Sequence, residues 1–136
     1  VIVHAGLLGA RVGGRWRGVL VEGPSGAGKS DLALRALHLG FRLVADDRVL
    51  LWTSGGRLFG RAPDPLRDLL EVRGQGVLAA SGLPLAEVAL IARSAAPERM
   101  PEDPRASLLG VDLPLLELDL REASAPAKLG RALAQL

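Results

Sequence analysis

Residues Gly23 to Ser30 read GPSGAGKS, which fits the phosphate-cradling pattern GxxxxGK[ST] at every specified position. Gly23, Gly26 and Gly28 free the backbone to turn its N–H groups onto phosphate oxygens, and Pro24, Ser25 and Ala27 complete the loop. By the mechanics of the motif, Lys29 reaches the outer phosphates and Ser30 offers its hydroxyl to Mg²⁺. The chemistry implied is the binding of a nucleotide or another polyphosphate. Lys29 and Lys128 are the only lysines in the chain, so composition alone poorly accounts for a lysine at this position.

Asp46 and Asp47 follow Lys29 across one predicted helix and one predicted strand. A strand, helix, strand unit returns that end of the sheet to the loop. One carboxylate there can hold or orient Mg²⁺, and one can accept a proton from an attacking hydroxyl. Successive strand residues face opposite ways, so both reach the site only if the chain leaves regular extension at Ala45. Glu71, followed by Arg73 and the Gly74, Gln75, Gly76 break, is a third acidic candidate. His4 is a candidate to contact a phosphate or to orient an aspartate, whereas His38 is given no role. The plain alternatives are an acidic strand-end turn at Asp46 and Asp47 and a loop salt bridge at Glu71 and Arg73.

The elements that must position these groups are read from periodicity and turn residues. Val1–His4 and Leu7–Val12 are short strand candidates, and Gly13 and Gly14 before Arg15–Glu22 signal a hairpin that delivers the loop. From Ser30, residues Leu32, Ala33, Ala36, Leu37 and Leu39 form one apolar helical face, with Gly40 as a left-handed stop. Phe41–Ala45 is a strand ending in the acidic corner, and Val49–Thr53 and Arg57–Phe59 flank the turn Ser54, Gly55, Gly56. Leu69–Arg73 reads as a short strand or a helix end, and Glu87–Arg93 as a strand. Ser94–Ser107, with three prolines and little apolar content, reads as an exposed loop. Leu113–Leu120 is a further strand, and Pro126 opens a final helix with Leu129, Ala132, Leu133 and Leu136 on one side. The expected fold is an α/β sandwich with helices at 29 to 39 and 126 to 135, carrying the phosphate loop and the acidic corner at one edge of its sheet.

Composition bounds the remainder. A chain of 136 residues, 49 % hydrophobic and 3 % aromatic, makes one domain, 1–136, with a core of Leu, Val and Ala. With no cysteine there is neither a disulfide framework nor a thiolate metal site, and two histidines are too few for a histidine-based zinc site. No apolar run approaches the roughly 18 residues of a membrane span and no signal pattern opens the chain, so a soluble cytoplasmic protein without a membrane partner is expected. The net charge of +2, with acidic residues interspersed, leaves no basic stripe for nucleic acid. The first residue is Val1 rather than Met, which leaves room for residues upstream.

Several stretches together resemble one family, the C-terminal catalytic domain of HPr kinase/phosphorylase. They are His4, GPSGAGKSDLAL from Gly23 to Leu34, LVADD from Leu43 to Asp47, and LEVRGQGV from Leu70 to Val77, the last similar to that family's EIRGLGI signature. The resemblance implies a P-loop-containing, phosphoenolpyruvate-carboxykinase-like mixed sheet flanked by helices, Mg²⁺ dependence and a homo-oligomer, usually a hexamer. It implies ATP-dependent phosphorylation of a serine on HPr, the carrier protein of the sugar phosphotransferase system, with reversal by phosphorolysis that yields pyrophosphate. Carried over by motif, Lys29 holds the transferred phosphate, Ser30 and Glu71 are metal ligands, Asp47 is the proton acceptor flanked by Asp46, and His4 sits beside the phosphate. Arg99, within Glu98, Arg99, Met100, resembles the family's Arg-Leu element near the active site.

The chain departs from the family's pattern in two places. Only three residues precede His4, so it resembles the short, catalytic-domain-only form, in which regulation through an N-terminal domain would be absent. Near the C terminus, LDLREASAPAK from Leu118 to Lys128 stands where the family has a PVRPGR-like element linked to dephosphorylation, with Lys128 a candidate substitute. Two other functions remain open at this level. A nucleotide-sensing module would bind ATP without transferring phosphate to a protein hydroxyl, and a small-molecule kinase or carboxykinase relative would act on metabolites.

Overall fold

A computed structural model describes residues 1–80, 82–96 and 103–136. The strands β1 (Ile2–Val3), β2 (Gly6–Val12) and β3 (Arg15–Glu22) lead into helix α1 (Lys29–Leu37). Then come β4 (Arg42–Ala45), β5 (Val49–Ser54), β6 (Arg57–Arg61), a short 3₁₀ turn at Asp64–Leu66, β7 (Leu69–Val72) and β8 (Gly76–Ala79). β9 (Ala86–Ser94), β10 (Arg105–Leu108), β11 (Val111–Leu118) and helix α2 (Ala125–Ala134) complete the chain.

The main sheet runs β1, β5, β6, β9, β3, β2, β4. It branches at β9, which pairs with β6 at Ala86 and Glu87 and with β11, in parallel, from Ile91 to Ser94. β2 is antiparallel to both β3 and β4, so β3 and β4 run the same way and their C-terminal ends emerge on one side. The segment β3, α1, β4 is thus a parallel crossover that skips one strand, because the β2–β3 hairpin occupies the position between them. The loop-bearing strand β3 is accordingly interior, not at an edge as the sequence reading had it, while β4 ends the path.

Alternation along the central strands explains their unbroken apolar runs. Leu8, Val19, Val21, Leu90 and Ala92 join Leu32, Ala36, Leu129 and Leu133 in a core beneath the two helices. Their neighbours Leu7, Leu20 and Ile91 point the other way, into a second core with Val49, Leu51 and Leu58. Both faces of β3 and β9 are covered, so neither strand carries the polar alternation of a half-exposed strand.

The hairpin turns are where glycine pairs place them. Gly13 and Gly14 at φ 59° and 77° join Val12 to Arg15, the left-handed pair that a two-residue turn requires. Helix α1 stops at Leu37, two residues earlier than expected. His38 and Leu39 bond back to Arg35 and Ala36 in tight i to i−3 fashion, and Gly40 turns left-handed at φ 89°. Leu39 is consequently 61 % exposed and not part of the apolar face. Leu136 also lies beyond its helix and is exposed.

Two further segments differ from expectation. Leu69–Val72 is a strand, paired with β8 across the Gly74-containing turn, and together they form a separate two-stranded sheet. Within Ser94–Ser107, the expected loop gives way to strand β10 at Arg105, which pairs with β11 around Leu109 and Gly110. β10 is a half-exposed edge strand with few apolar residues, so composition hid it. Arg99 lies outside the described residues. No helix among the described residues is long and apolar enough to cross a membrane.

Candidate functional site

β3 ends at Glu22, and the chain from Gly23 to Gly28 turns sharply into α1. Ala27 N–H donates to the Pro24 carbonyl at 3.0 Å, and Leu32 N–H donates to Gly28 at 2.9 Å as the helix begins. Gly26 at φ 83° and Gly28 at φ 101° take conformations that a side chain would oppose, and Gly28 is the N-cap of α1. The turn directs the positive end of the helix toward the mouth of the loop. Lys29 Nζ folds back over the start of the loop, donating to the carbonyls of Gly23 at 2.5 Å and Pro24 at 3.0 Å.

At the acidic corner the chain leaves extension directly after Ala45. Asp47 is left-handed at φ 69°, so the two consecutive aspartates diverge. Asp46 turns inward and is 8 % exposed. Its Oδ1 accepts from Ser30 Oγ at 2.8 Å and its Oδ2 from the Glu71 backbone N–H at 3.1 Å. One buried carboxylate thereby joins the loop helix to β7, and both its oxygens are satisfied. Asp47 faces outward with its side chain half exposed. Its Oδ1 lies 2.7 Å from His4 Nε2, and Arg48 Nη1 lies 3.6 Å from its Oδ2.

The β7–β8 hairpin overhangs the loop. Leu70 and Val72 are buried in the helix-side core, which fixes the hairpin and leaves Glu71 between them exposed on the opposite face. A cleft of about 730 Å³ results, in which Ser25, Lys29, Ser30, His4, Asp47 and Glu71 meet. Asp46 does not line it, since Ser30 and Glu71 N–H cover its oxygens. A second hollow beside His4, Ser25 and Asp47 opens toward Ile2 and Arg48.

Among the described residues no group of three His, Cys, Asp or Glu side chains is arranged to hold a metal unaided. The Ser30 hydroxyl and the Glu71 carboxylate on the same cleft are hard oxygen donors. That set fits Mg²⁺, which keeps several waters and shares phosphate oxygens with its substrate.

Sequence reasoning missed Arg121, which lines the same cleft and donates to the Gly26 carbonyl from 95 residues away. No motif marks it; it stands inside the stretch noted as departing from the family's pattern. Lys128, the substitute suggested for that stretch, instead bonds Glu122 and does not reach the cleft.

The family model for the HPr serine kinase C-terminal domain matches residues 4–83. An HPr kinase/phosphorylase from Brevibacillus brevis is 52 % identical over 62 residues, covering 45 % of this chain and 20 % of that protein. One from Neisseria meningitidis serogroup B is 39 % identical over 129 residues, covering 88 % of this chain and 40 % of that protein. The chain therefore spans less than half the length of these curated relatives. Among solved structures, the Hpr(Ser) kinase/phosphatase from Coxiella burnetii is similar with a TM-score of 0.78 at 25 % identity, covering 99 % of this chain and 95 % of that one. The shared architecture is a mixed α/β fold with a curled sheet and two helices. His4, the glycine loop, both aspartates and Glu71 fall inside the matched span, and Arg121 falls outside it.

Proposed function

The chain belongs to the HPr serine kinase C-terminal domain family, and on that premise we propose that it is an ATP-dependent serine kinase acting on HPr or an HPr-like carrier protein, with a role in regulating carbohydrate metabolism. The observation that carries this reading is the 2.7 Å His4–Asp47 pair at the mouth of a cleft floored by the glycine loop. A module that only sensed nucleotide would need no such carboxylate beside the loop.

In this mechanism the Gly23–Ser30 loop is a phosphate cradle. Its N–H groups and the Lys29 ammonium hold the β- and γ-phosphates, Lys29 exchanging its bonds to the Gly23 and Pro24 carbonyls for phosphate oxygens. Asp47 accepts the proton of the incoming serine hydroxyl as its oxygen bonds the γ-phosphorus and the bond to the leaving ADP breaks. His4 holds the carboxylate in place. Ser30 and Glu71 would hold Mg²⁺, and Asp46 would keep Ser30 and the Glu71 backbone in register from behind. When bound, the metal would neutralise charge on the phosphate oxygens.

The reverse reaction, phosphorolysis, would use the same groups: an oxygen of inorganic phosphate attacks the phosphoserine phosphorus, the bond from that phosphorus to the serine oxygen breaks, protonated Asp47 gives its proton to the departing serine oxygen, and pyrophosphate is the product. The reading extends to a P-loop-containing, phosphoenolpyruvate-carboxykinase-like catalytic domain spanning 1–136, working in the cytoplasm as a homo-oligomer, a hexamer by resemblance.

The test is transfer from ATP and Mg²⁺ to a purified HPr-type protein, read by intact mass, with Lys29→Ala as the matched control. A gain of one phosphate on a serine, absent in the control, is expected. ATP binding without any gain would overturn the kinase reading.

A further inference from the structure

We infer that Arg121 is a phosphate-contacting residue of this site, a guanidinium supplied by the β11–α2 connection to the nucleotide held on the glycine loop. The inference rests on the reading of that loop as a phosphate cradle and assigns it a residue from outside the matched family span.

The placement starts from α1. Arg35, one face along from Lys29, donates from Nη1 to the Glu122 carbonyl at 2.7 Å and from Nη2 to the Leu120 carbonyl at 2.5 Å. These two bonds clamp the backbone on either side of Arg121 to the helix that begins at the loop. Leu120 is fully buried, and Asp119 Oδ1 accepts from Arg121 N–H at 3.0 Å, so the main chain there is fixed from three directions. The Arg121 side chain, by contrast, is exposed and runs over the loop. Its Cγ lies 3.0 Å from where a β-carbon on Gly28 would be, and its Nη2 donates to the Gly26 carbonyl.

Charge and position together mark it: Arg73 lines the cleft likewise without an ion pair among the described residues, but of the two only Arg121 bonds the glycine loop. Arg35, Arg57, Arg61, Arg93 and Arg105 each meet a carboxylate. Among the described residues none lies within ion-pair distance of the Arg121 guanidinium, whose protein partner is a neutral loop carbonyl. A full positive charge held over the glycine loop, on an anchored backbone and an exposed side chain, is suited to a polyphosphate. The guanidinium needs only to rotate off Gly26 to meet a phosphate oxygen, and its planar fork can take two oxygens at once.

A merely structural role would make Arg121 a staple between the connection and the loop. Comparing Arg121→Gln with Arg121→Lys separates the two, because both shorten the side chain that reaches the Gly26 carbonyl but only the lysine keeps the charge. The experiment is equilibrium binding of Mg·ATP to the wild type, Arg121→Gln and Arg121→Lys across a salt series, with thermal unfolding as the folding control. For Arg121→Gln the expected results are about a tenfold or greater loss of ATP affinity and a shallower dependence on salt, as one screened charge is removed. Arg121→Lys, which keeps the charge, should recover part of the affinity and the full salt dependence. Unchanged affinity in Arg121→Gln, or a loss with the salt dependence intact, would overturn the inference while leaving the cradle in place. Failure of the wild type to bind Mg·ATP would instead remove the cradle, and this assignment with it.

Discussion

His4 Nε2 and Asp47 Oδ1 lie 2.7 Å apart although 43 residues separate them in the chain. Two backbone features make the contact. Ala5 N–H donates to the Asp47 carbonyl at 3.2 Å, tying the start of the chain to the acidic corner, and the positive φ of Asp47 swings its carboxylate away from the buried side that Asp46 takes. The imidazole can thus hold a solvent-accessible carboxylate in one orientation, which is what a proton acceptor for an incoming hydroxyl requires.

Asp47→Asn should lower turnover of phosphate transfer by roughly 10² to 10⁴ while leaving ATP affinity largely intact. Steady-state rates with an HPr-type acceptor, beside equilibrium ATP binding, make the check. An unchanged rate would remove Asp47 from the role of base.

Gly28→Ala should damage both fold and site. The residue sits at φ 101° with Arg121 Cγ 3.0 Å from the new β-carbon, so backbone strain and displacement of Arg121 act together. A left-handed non-glycine residue costs about 1–2 kcal/mol. Urea unfolding should register at least that loss, and ATP binding should fall sharply; binding at wild-type strength would mean that the loop tolerates another geometry.

Arg35→Ala should destabilise the chain by about 1–3 kcal/mol, because it strips charged donors from the Leu120 and Glu122 carbonyls in one step. The same variant should weaken ATP binding as the connection carrying Arg121 loosens. Chemical denaturation and ATP titration of one preparation read both effects. Full stability in the variant would show that water replaces the guanidinium without cost.

The loop, the first helix and the glycine-paired hairpins were legible because their causes are local. GPSGAGKS states its own backbone needs within eight residues. Gly13–Gly14 and Gly55–Gly56 supply the left-handed pairs that two-residue turns demand. The unbroken run of β9 reads as a buried strand whatever lies beside it. Where local signals competed, the reading slipped: Leu39 kept the apolar spacing of α1, but the tight turn before Gly40 ended the helix first. β10 was illegible because an edge strand needs little apolar content when its partner, β11, supplies the pairing.

Taken by itself, then, the sequence determined which groups of chemical consequence exist and which short turns present them: the glycine loop, Lys29, Ser30, the paired aspartates, Glu71 and His4. Only the tertiary structure decided how they divide the work. Whether Asp46 or Asp47 faces the cleft depends on one left-handed residue and on partners 16 and 43 positions away, Ser30 and His4. That Arg121 joins the loop depends on two bonds from Arg35 to a segment some 85 residues downstream. Chain spacing carries no record of such contacts, because they exist only once burial of the helix-side core has brought β3, β4, β7 and the β11–α2 connection to the same end of one sheet.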